Sequence, residues 1–171
     1  MVTPKPMATT TSQSALEAIA ETEPVAQAGV IAYRLCQETA EGVEIALVSS
    51  HRVPWTIAKG HIDPGHSPTQ AAATEAFEEA GVLGEIDPKP LGSYSYTKLS
   101  GVRYEVVVFA MHVDEELPSW PERGRRARLW LPPNEAAEQI ESPELARMIR
   151  LFASMAQGTP DAAGGAGSDD R

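Results

Sequence analysis

The sequence predicts an α/β fold in which helices cover both faces of a mixed β-sheet. Runs rich in β-branched residues stand before and after an early helical segment, and an amphipathic helix closes the region that can fold. With 171 residues, of which 42% are hydrophobic, the chain can bury a core of its own. One α/β domain is therefore the expected organisation.

Both ends of the chain have the composition of segments that stay unfolded. The first two dozen residues are rich in Thr, Ser, Ala and Pro, and the last fifteen or so in Gly, Ala and Asp. Such segments bury too little apolar surface to offset the entropy lost on ordering. We therefore predict a flexible tail over residues 1–24, a folded domain over 25–156 and a disordered tail over 157–171.

Strands are predicted from runs of Val, Ile, Tyr and Phe that are separated by turn residues. The first two runs are joined by a polar segment around Gly42, which is typical of a hairpin. The six predicted strands cover residues 28–35, 43–50, 55–60, 89–98, 103–113 and 126–132.

Helix caps predict the early helix. Ser67 can accept hydrogen bonds from free amides, Pro68 suits the first helical position, and Gly81 supplies a left-handed end, so the helix should span about residues 68–80.

The same pattern returns near the end of the chain. Ser142 and Pro143 begin a helix whose apolar residues are spaced at i, i+3, i+4 and i+7, which predicts an amphipathic closing helix. A shorter helix is expected over residues 133–140. The apolar positions of the closing helix are Leu145, Met148, Ile149 and Phe152.

The charge and the cysteine content limit the partners and the cellular location that we expect. The net charge of −10 disfavours a broad electrostatic contact with nucleic acid or an anionic membrane. Cys36 is the only cysteine, which excludes an internal disulfide and is consistent with a reducing compartment. No run approaches the ~18 apolar residues of a membrane span, and no signal-peptide core stands at the N-terminus. We expect a cytoplasmic location; monomer and homodimer both stay open.

Three glutamates share one side of the early helix. At about 100° per residue, Glu75, Glu78 and Glu79 form an acidic face. Like charges at this spacing repel each other, and no Lys or Arg occurs between Lys59 and Lys89 to offset them locally. The opposite, core-facing side is predicted to hold Ala73, Ala76, Phe77 and Ala80.

Two interpretations of this acidic face remain open from the spacing alone. Mg²⁺ prefers carboxylate oxygens and shares its remaining positions with phosphate oxygens, so a bound cation would indicate phosphate chemistry. A solvated acidic helix face is the alternative.

The stretch from Gly60 to Val82 resembles the signature of the Nudix hydrolase family, written Gly-x5-Glu-x7-Arg-Glu-U-x-Glu-Glu-x-Gly-U, where U is bulky and aliphatic. Two positions depart from the pattern: His66 stands where the family has its first Glu, and Thr74 where it has Arg. Ala76 is a small residue at the first U. The residues at the family's spacing are Gly60, Glu75, Glu78, Glu79, Gly81 and Val82.

The resemblance extends over roughly residues 26–152, towards the diphosphoinositol polyphosphate phosphohydrolases and diadenosine polyphosphate hydrolases. It is carried by "ALVSSHRVPWTIAKGHIDPG", "LGSYSYTK" and "WPERGRRARLW". It implies a Nudix-type α/β/α sandwich with a mixed β-sheet. It also implies Mg²⁺-dependent cleavage of a phosphoanhydride in a small diphosphate-linked substrate, with Mn²⁺ as the alternative ion.

By the same resemblance, the Gly60 carbonyl and the carboxylates of Glu75, Glu78 and Glu79 would bind the metal. Glu78, with Glu75 as the second catalytic candidate, would orient or deprotonate the attacking water. His66 would lie in the outer shell of the metal or serve as a loop residue.

The departures favour a second hypothesis, a catalytically degenerate domain that binds a nucleotide or phosphorylated ligand as a sensor. Thr74 cannot form the two-pronged contact of an arginine with a carboxylate, so we expect weakened catalysis.

Basic residues near the signature are candidates for contact with substrate phosphates, although each also suits a solvated surface. The cluster at residues 123–128 could bind polyphosphate, but pairing with Glu115, Glu116 and Glu122 is the favoured interpretation. The predicted substrate-binding residues are His51, Arg52, Lys59, Lys98 and Arg103.

Overall fold

A mixed β-sheet with helices on both faces forms the described part of the protein. The computed structural model describes residues 23–51 and 53–157, so almost all of both predicted tails lies outside the described ranges. Within these ranges eight strands share one sheet. They are β1 (Val25–Leu35), β2 (Val43–Ser49), β3 (Trp55–Thr56), β4 (Ala58–His61), β5 (Val82–Ile86), β6 (Gly92–Thr97), β7 (Arg103–Glu116) and β8 (Arg128–Leu131).

The helices follow the predicted caps. Ser67 and Gln70 form a capping box at the start of α1 (Pro68–Glu75), which continues directly into a π-helical turn over Ala76–Ala80. The shorter helix is α2 (Pro133–Glu138), and the closing helix is α3 (Pro143–Gln157). No helix in the described ranges is long and apolar enough to cross a membrane.

The sheet is organised around β1 and β7, which pair in parallel from Val25 to Tyr33. Along the main path the strand order is β3-β2-β1-β7-β5, and the pairings other than β1 with β7 are antiparallel. Strand β4 pairs with the first half of β1, β6 with β7, and β8 with β2. The long connection between the two parallel strands includes α1.

Alternation along the strands gives each face of the sheet its own apolar core. Ile31 belongs to the core shared with α2 and α3, whereas its neighbour Val30 belongs to the core shared with α1. Leu145 and Ile149, on the predicted stripe of α3, are fully buried in the first core. The predicted α/β/α sandwich is confirmed.

The core beneath α1 is built largely from alanine. Because alanine side chains are short, the helix can approach the sheet closely, since the distance between packed elements depends on the side chains between them. This close approach brings the glutamates of the helix to the backbone of β4. The alanines concerned are Ala28, Ala32, Ala46, Ala58, Ala71, Ala72, Ala76 and Ala80.

The predicted division of the helix into an acidic and an apolar face was wrong at two positions. Phe77, placed on the core side, is 37% exposed, whereas Glu79, placed on the acidic side, is 5% exposed. The physical reason is the π-helical turn, in which i→i+5 hydrogen bonds replace the i→i+4 spacing on which the prediction relied.

Two strand predictions also needed correction. The single strand predicted over residues 55–60 is two strands, because β3 pairs with β2 while β4 crosses to β1. Strand β5 was missed because only Val82 of its residues is buried, so no alternation marks it in the sequence.

Replacement of Gly81 by alanine should destabilise the fold by about 2–4 kcal/mol. Gly81 has φ of 62°, and a Cβ there would lie 2.5 Å from a ring carbon of Trp120. Urea unfolding measures the loss. Gly124→Ala is the matched control because open space surrounds that position; equal losses in the two variants would contradict the explanation.

Candidate active site

The glutamates of the acidic helix meet the backbone of β4. The Lys59 amide donates a hydrogen bond of 3.0 Å to Glu79 Oε2. At the next residue, a Cβ added to Gly60 would overlap the carboxylate of Glu75. A glycine is therefore required at position 60 for Glu75 to reach the strand, and the signature glycine and two signature glutamates come together in space.

Glu79 has a cationic partner that the local sequence did not predict. Arg126 forms an ion pair with Glu79 through Nη2 and donates from Nε to Glu122 Oε2 at 2.6 Å. Its Nη1 donates to the carbonyl of Ser49 at 2.9 Å. Although no basic residue lies close to the glutamates in the sequence, the fold therefore supplies one of them with a positively charged partner.

Burial and repulsion by neighbouring carboxylates disfavour the charged form of Glu75. Burial raises its pKa to about 7, and the carboxylates of Glu79, Glu78 and Glu122 act in the same direction. Burial also raises the pKa of Glu79, but the Lys59 amide and Arg126 oppose that shift. The cluster is thus only partly neutralised by the protein.

The donor chemistry fits a hard divalent cation. Carboxylate oxygens that crowd beside the strand carry uncompensated charge, and the lack of a side chain at Gly60 leaves room for the Glu75 carboxylate. Across residues 23–51 and 53–157, no three His, Cys, Asp or Glu side chains are close enough together to enclose an ion. A shared ion would therefore require at least one glutamate to change rotamer.

Of the predicted substrate-binding residues, Lys59 lies beside the glutamates, and Lys98 lies near Lys59. Lys59 lies over the ring of Tyr96 at 5.2 Å, and Lys98 lies over the ring of Tyr104 at 4.2 Å. The two tyrosine rings stack on each other at 5.0 Å. Burial lowers the pKa of Lys59, and the positive charge of Lys98 adds to this shift. The stack therefore holds two cations near each other.

The structure gives no site contact for the other predicted residues. Arg103 is exposed at the start of β7, and His51 is exposed in the segment after β2. His66 is also exposed; among the described residues its backbone amide is the group that is engaged, with the carbonyl of Asp63 at 3.0 Å. Arg52 lies outside the described residues. The roles of these four residues stay predictions.

Sequence reasoning missed the segment that encloses the end of the acidic helix, residues 117–128. The indole of Trp120 donates to the carbonyl of Glu79 at 3.1 Å, and the Glu122 amide donates to the carbonyl of Glu78 at 3.0 Å. The predicted pairing of the basic cluster with acids is confirmed for Arg126 with Glu122 and for Arg128 with Glu116. The expected pairing of these arginines with acids was the one sequence signal for this segment, and it gave no indication that Arg126 contacts Glu79.

The pH dependence of stability should report the Glu75 carboxyl. Its pKa of about 7 in the folded protein lies above the ordinary 4.5, so the native state binds more protons than the unfolded state between these values. Stability should therefore fall as pH rises through this window, and Glu75→Gln should remove that part of the slope. Urea unfolding with a chelator from about pH 5 to about pH 8 measures the slope.

The exposed Glu138 of α2 offers the control for that experiment. Glu138→Gln should keep the wild-type slope. An unchanged slope in Glu75→Gln would contradict the assignment.

Comparison with known proteins finds a matching domain family. The model of the NUDIX domain family matches residues 26–152. "Nudix hydrolase 12, mitochondrial" of Arabidopsis thaliana is 36% identical over 142 residues, which cover 72% of this chain and 70% of that protein. "Diphosphoinositol polyphosphate phosphohydrolase 3-beta" of Bos taurus is 31% identical over 112 residues, covering 63% and 66%.

A solved structure shares the fold. The crystal structure of a C. elegans Ap4A hydrolase binary complex superposes with a TM-score of 0.63 at 23% identity, covering 79% of this chain and 99% of that one. The matched regions are 64%, 53% and 65% of the length of three further plant Nudix hydrolases. Because the first plant relative is named mitochondrial, the cytoplasmic location stays a prediction. The chain belongs to the Nudix hydrolase family.

Proposed function

We propose that the protein is a Mg²⁺-dependent pyrophosphohydrolase that cleaves a phosphoanhydride bond in a small diphosphate-linked molecule. The observation that carries this proposal is the meeting of Glu75 and Glu79 with the backbone of Lys59 and Gly60. Dinucleoside polyphosphates and diphosphoinositol polyphosphates are the preferred substrate classes. The activities for which the bovine relative and the C. elegans neighbour are named support these two classes.

In this proposal the Gly60 carbonyl and the carboxylates of Glu75, Glu78 and Glu79 hold the cation, with Mn²⁺ as the alternative to Mg²⁺. The ion would neutralise phosphate oxygens and lower the pKa of a bound water. A site rich in carboxylates needs this positive charge before it can accept a polyanionic substrate.

Glu78 is our candidate for the group that orients or deprotonates the attacking water. Its side chain is half-buried, and no hydrogen bond or ion pair engages it within the described residues, so its oxygens can accept a proton. Glu75 is the second candidate, because a carboxyl with a pKa of about 7 can exchange a proton near neutral pH. Water attacks phosphorus, the bridging P–O bond breaks, and no covalent intermediate is needed.

Substrate phosphates would contact Lys59 and Lys98, the two cations on the stacked tyrosines. Their proximity gives a local positive potential in a chain whose net charge is −10. The overall negative charge supports a small-molecule partner rather than nucleic acid or a membrane surface.

A phosphate-release screen tests the function. Purified protein is incubated with diphosphate compounds, Mg²⁺ or Mn²⁺ and a coupled phosphatase, and phosphate is measured with malachite green. We expect metal-dependent turnover that falls at least about 100-fold in Glu79→Gln, because the substitution removes a charged oxygen donor to the cation. Glu138→Gln, an exposed change of the same chemistry, should keep wild-type activity.

The sensor hypothesis gives a different result in the same screen. Tight binding of a ligand from the panel without turnover at any metal concentration would favour it. Turnover that survives Glu79→Gln would contradict our metal assignment.

Lys98→Ala should raise KM about tenfold and leave kcat nearly unchanged, because a ground-state phosphate contact that persists in the transition state contributes to binding alone. Steady-state kinetics on the best substrate measures both constants. Lys89→Ala is the matched control, since Lys89 is an exposed lysine in the segment before β6. An equal effect in both variants would argue against a specific phosphate contact.

A further inference from the structure

Arg126 contacts the Glu79 carboxylate at the oxygen that the Lys59 amide does not bind. Glu79 Oε2 accepts from the Lys59 amide, and Glu79 Oε1 forms the ion pair with Arg126. Each oxygen keeps a lone pair for a further partner. A glutamate has three side-chain torsions, so two donors on two different oxygens select one orientation of the carboxylate.

The guanidinium is itself held from three directions. Besides Glu79, it contacts Glu122 and the carbonyl of Ser49 at the end of β2. The planar fork of arginine can serve these acceptors together, which a lysine ammonium cannot reproduce. The Arg126 side chain is 23% exposed and that of Glu79 is 7% exposed, so solvent competes little for this ion pair.

The segment that carries Arg126 is bonded to the same turn of the helix. The carbonyls of four successive residues, 78–81, accept hydrogen bonds from residues 117–128. Those of Glu78 and Glu79 accept from Glu122 and Trp120, and those of Ala80 and Gly81 accept from Arg128, with the Leu117 amide also on Gly81. A π-helical turn leaves such carbonyls free, so this segment both caps the helix and delivers the guanidinium.

The helix provides no guanidinium of its own at this point. Thr74 is exposed, and its hydroxyl donates back to the carbonyl of Gln70 at 3.1 Å. Within the described residues, Arg126 is the side-chain cation that contacts a glutamate of the acidic helix.

We propose that Arg126 is a positioning residue of the active site: it orients the Glu79 carboxylate against β4 from outside the helix, in place of the arginine that residue 74 lacks. The expected effect on kcat rests on the proposed hydrolase function. The ion pair itself rests on geometry alone. Arg126 contacts no substrate in this proposal and acts through Glu79.

The kinetic test compares Arg126→Ala, Arg126→Lys and the control Arg125→Ala. Arg125 lies in the same segment and is exposed, so its removal matches the change in charge. In Arg126→Ala we expect kcat to fall about 100-fold, as for a misplaced catalytic group, with KM within about threefold of the control. Arg126→Lys should regain only part of kcat, because the charge returns without the fork.

A metal-free measurement tests the ion pair independently of turnover. With a chelator present, Arg126→Ala should lower Tm by about 5–10 °C, because it leaves a buried carboxylate without a counter-charge. Adding Glu79→Gln to that variant should recover most of the loss, whereas adding it to Arg125→Ala should recover nothing.

The outcomes separate the two proposals. A wild-type protein without turnover on any substrate would overturn the hydrolase proposal, while recovery in the metal-free double variant would still support the hold of Arg126 on Glu79. With an active wild type, the positioning role is overturned if kcat of Arg126→Ala stays within about threefold of Arg125→Ala. It is equally overturned if Glu79→Gln brings no recovery of Tm, since Arg126 would then act through Glu122 or Ser49.

Discussion

The close packing of an alanine face on the sheet is the constraint on which the site depends. Ala72 and Ala76 of the helix and Ala28 and Ala58 of the sheet are essentially inaccessible to solvent. Side chains of this size keep the helix near the strands, and at that distance a glutamate can bond to the backbone of β4. Larger residues at these positions would move the helix, and with it the carboxylates, away from the strand.

The same closeness creates an electrostatic cost. Burial of the Glu75 carboxyl raises its pKa to about 7, and the neighbouring carboxylates add to that shift. The protein relieves the cost at Glu79 with Arg126 and leaves it largely unrelieved at Glu75. Under the proposed function, this uneven distribution of counter-charge would let the site attract a divalent cation while one carboxylate stays correctly oriented.

The π-helical turn and residues 117–128 form one structural unit. The turn places Glu79 inward and Phe77 outward, and the segment satisfies the carbonyls that the turn exposes. Trp120 packs on Gly81, where a side chain would collide with the indole. Helix and segment are thus mutually dependent. Without the segment, both the buried glutamate and the free helix carbonyls would lose hydrogen-bond partners.

By itself the sequence determined the features that arise from neighbouring residues. Caps at Ser67 and Gly81, strand alternation and the acidic spacing were enough for the α/β sandwich and for the family resemblance, because these signals act within a few residues. Tertiary structure decided the inward turn of Glu79, the edge strand β5 and the partner of Glu79. Arg126 reaches Glu79 only because of the path of the chain through β7 and the segment after it, and no local periodicity encodes a contact made across such a path.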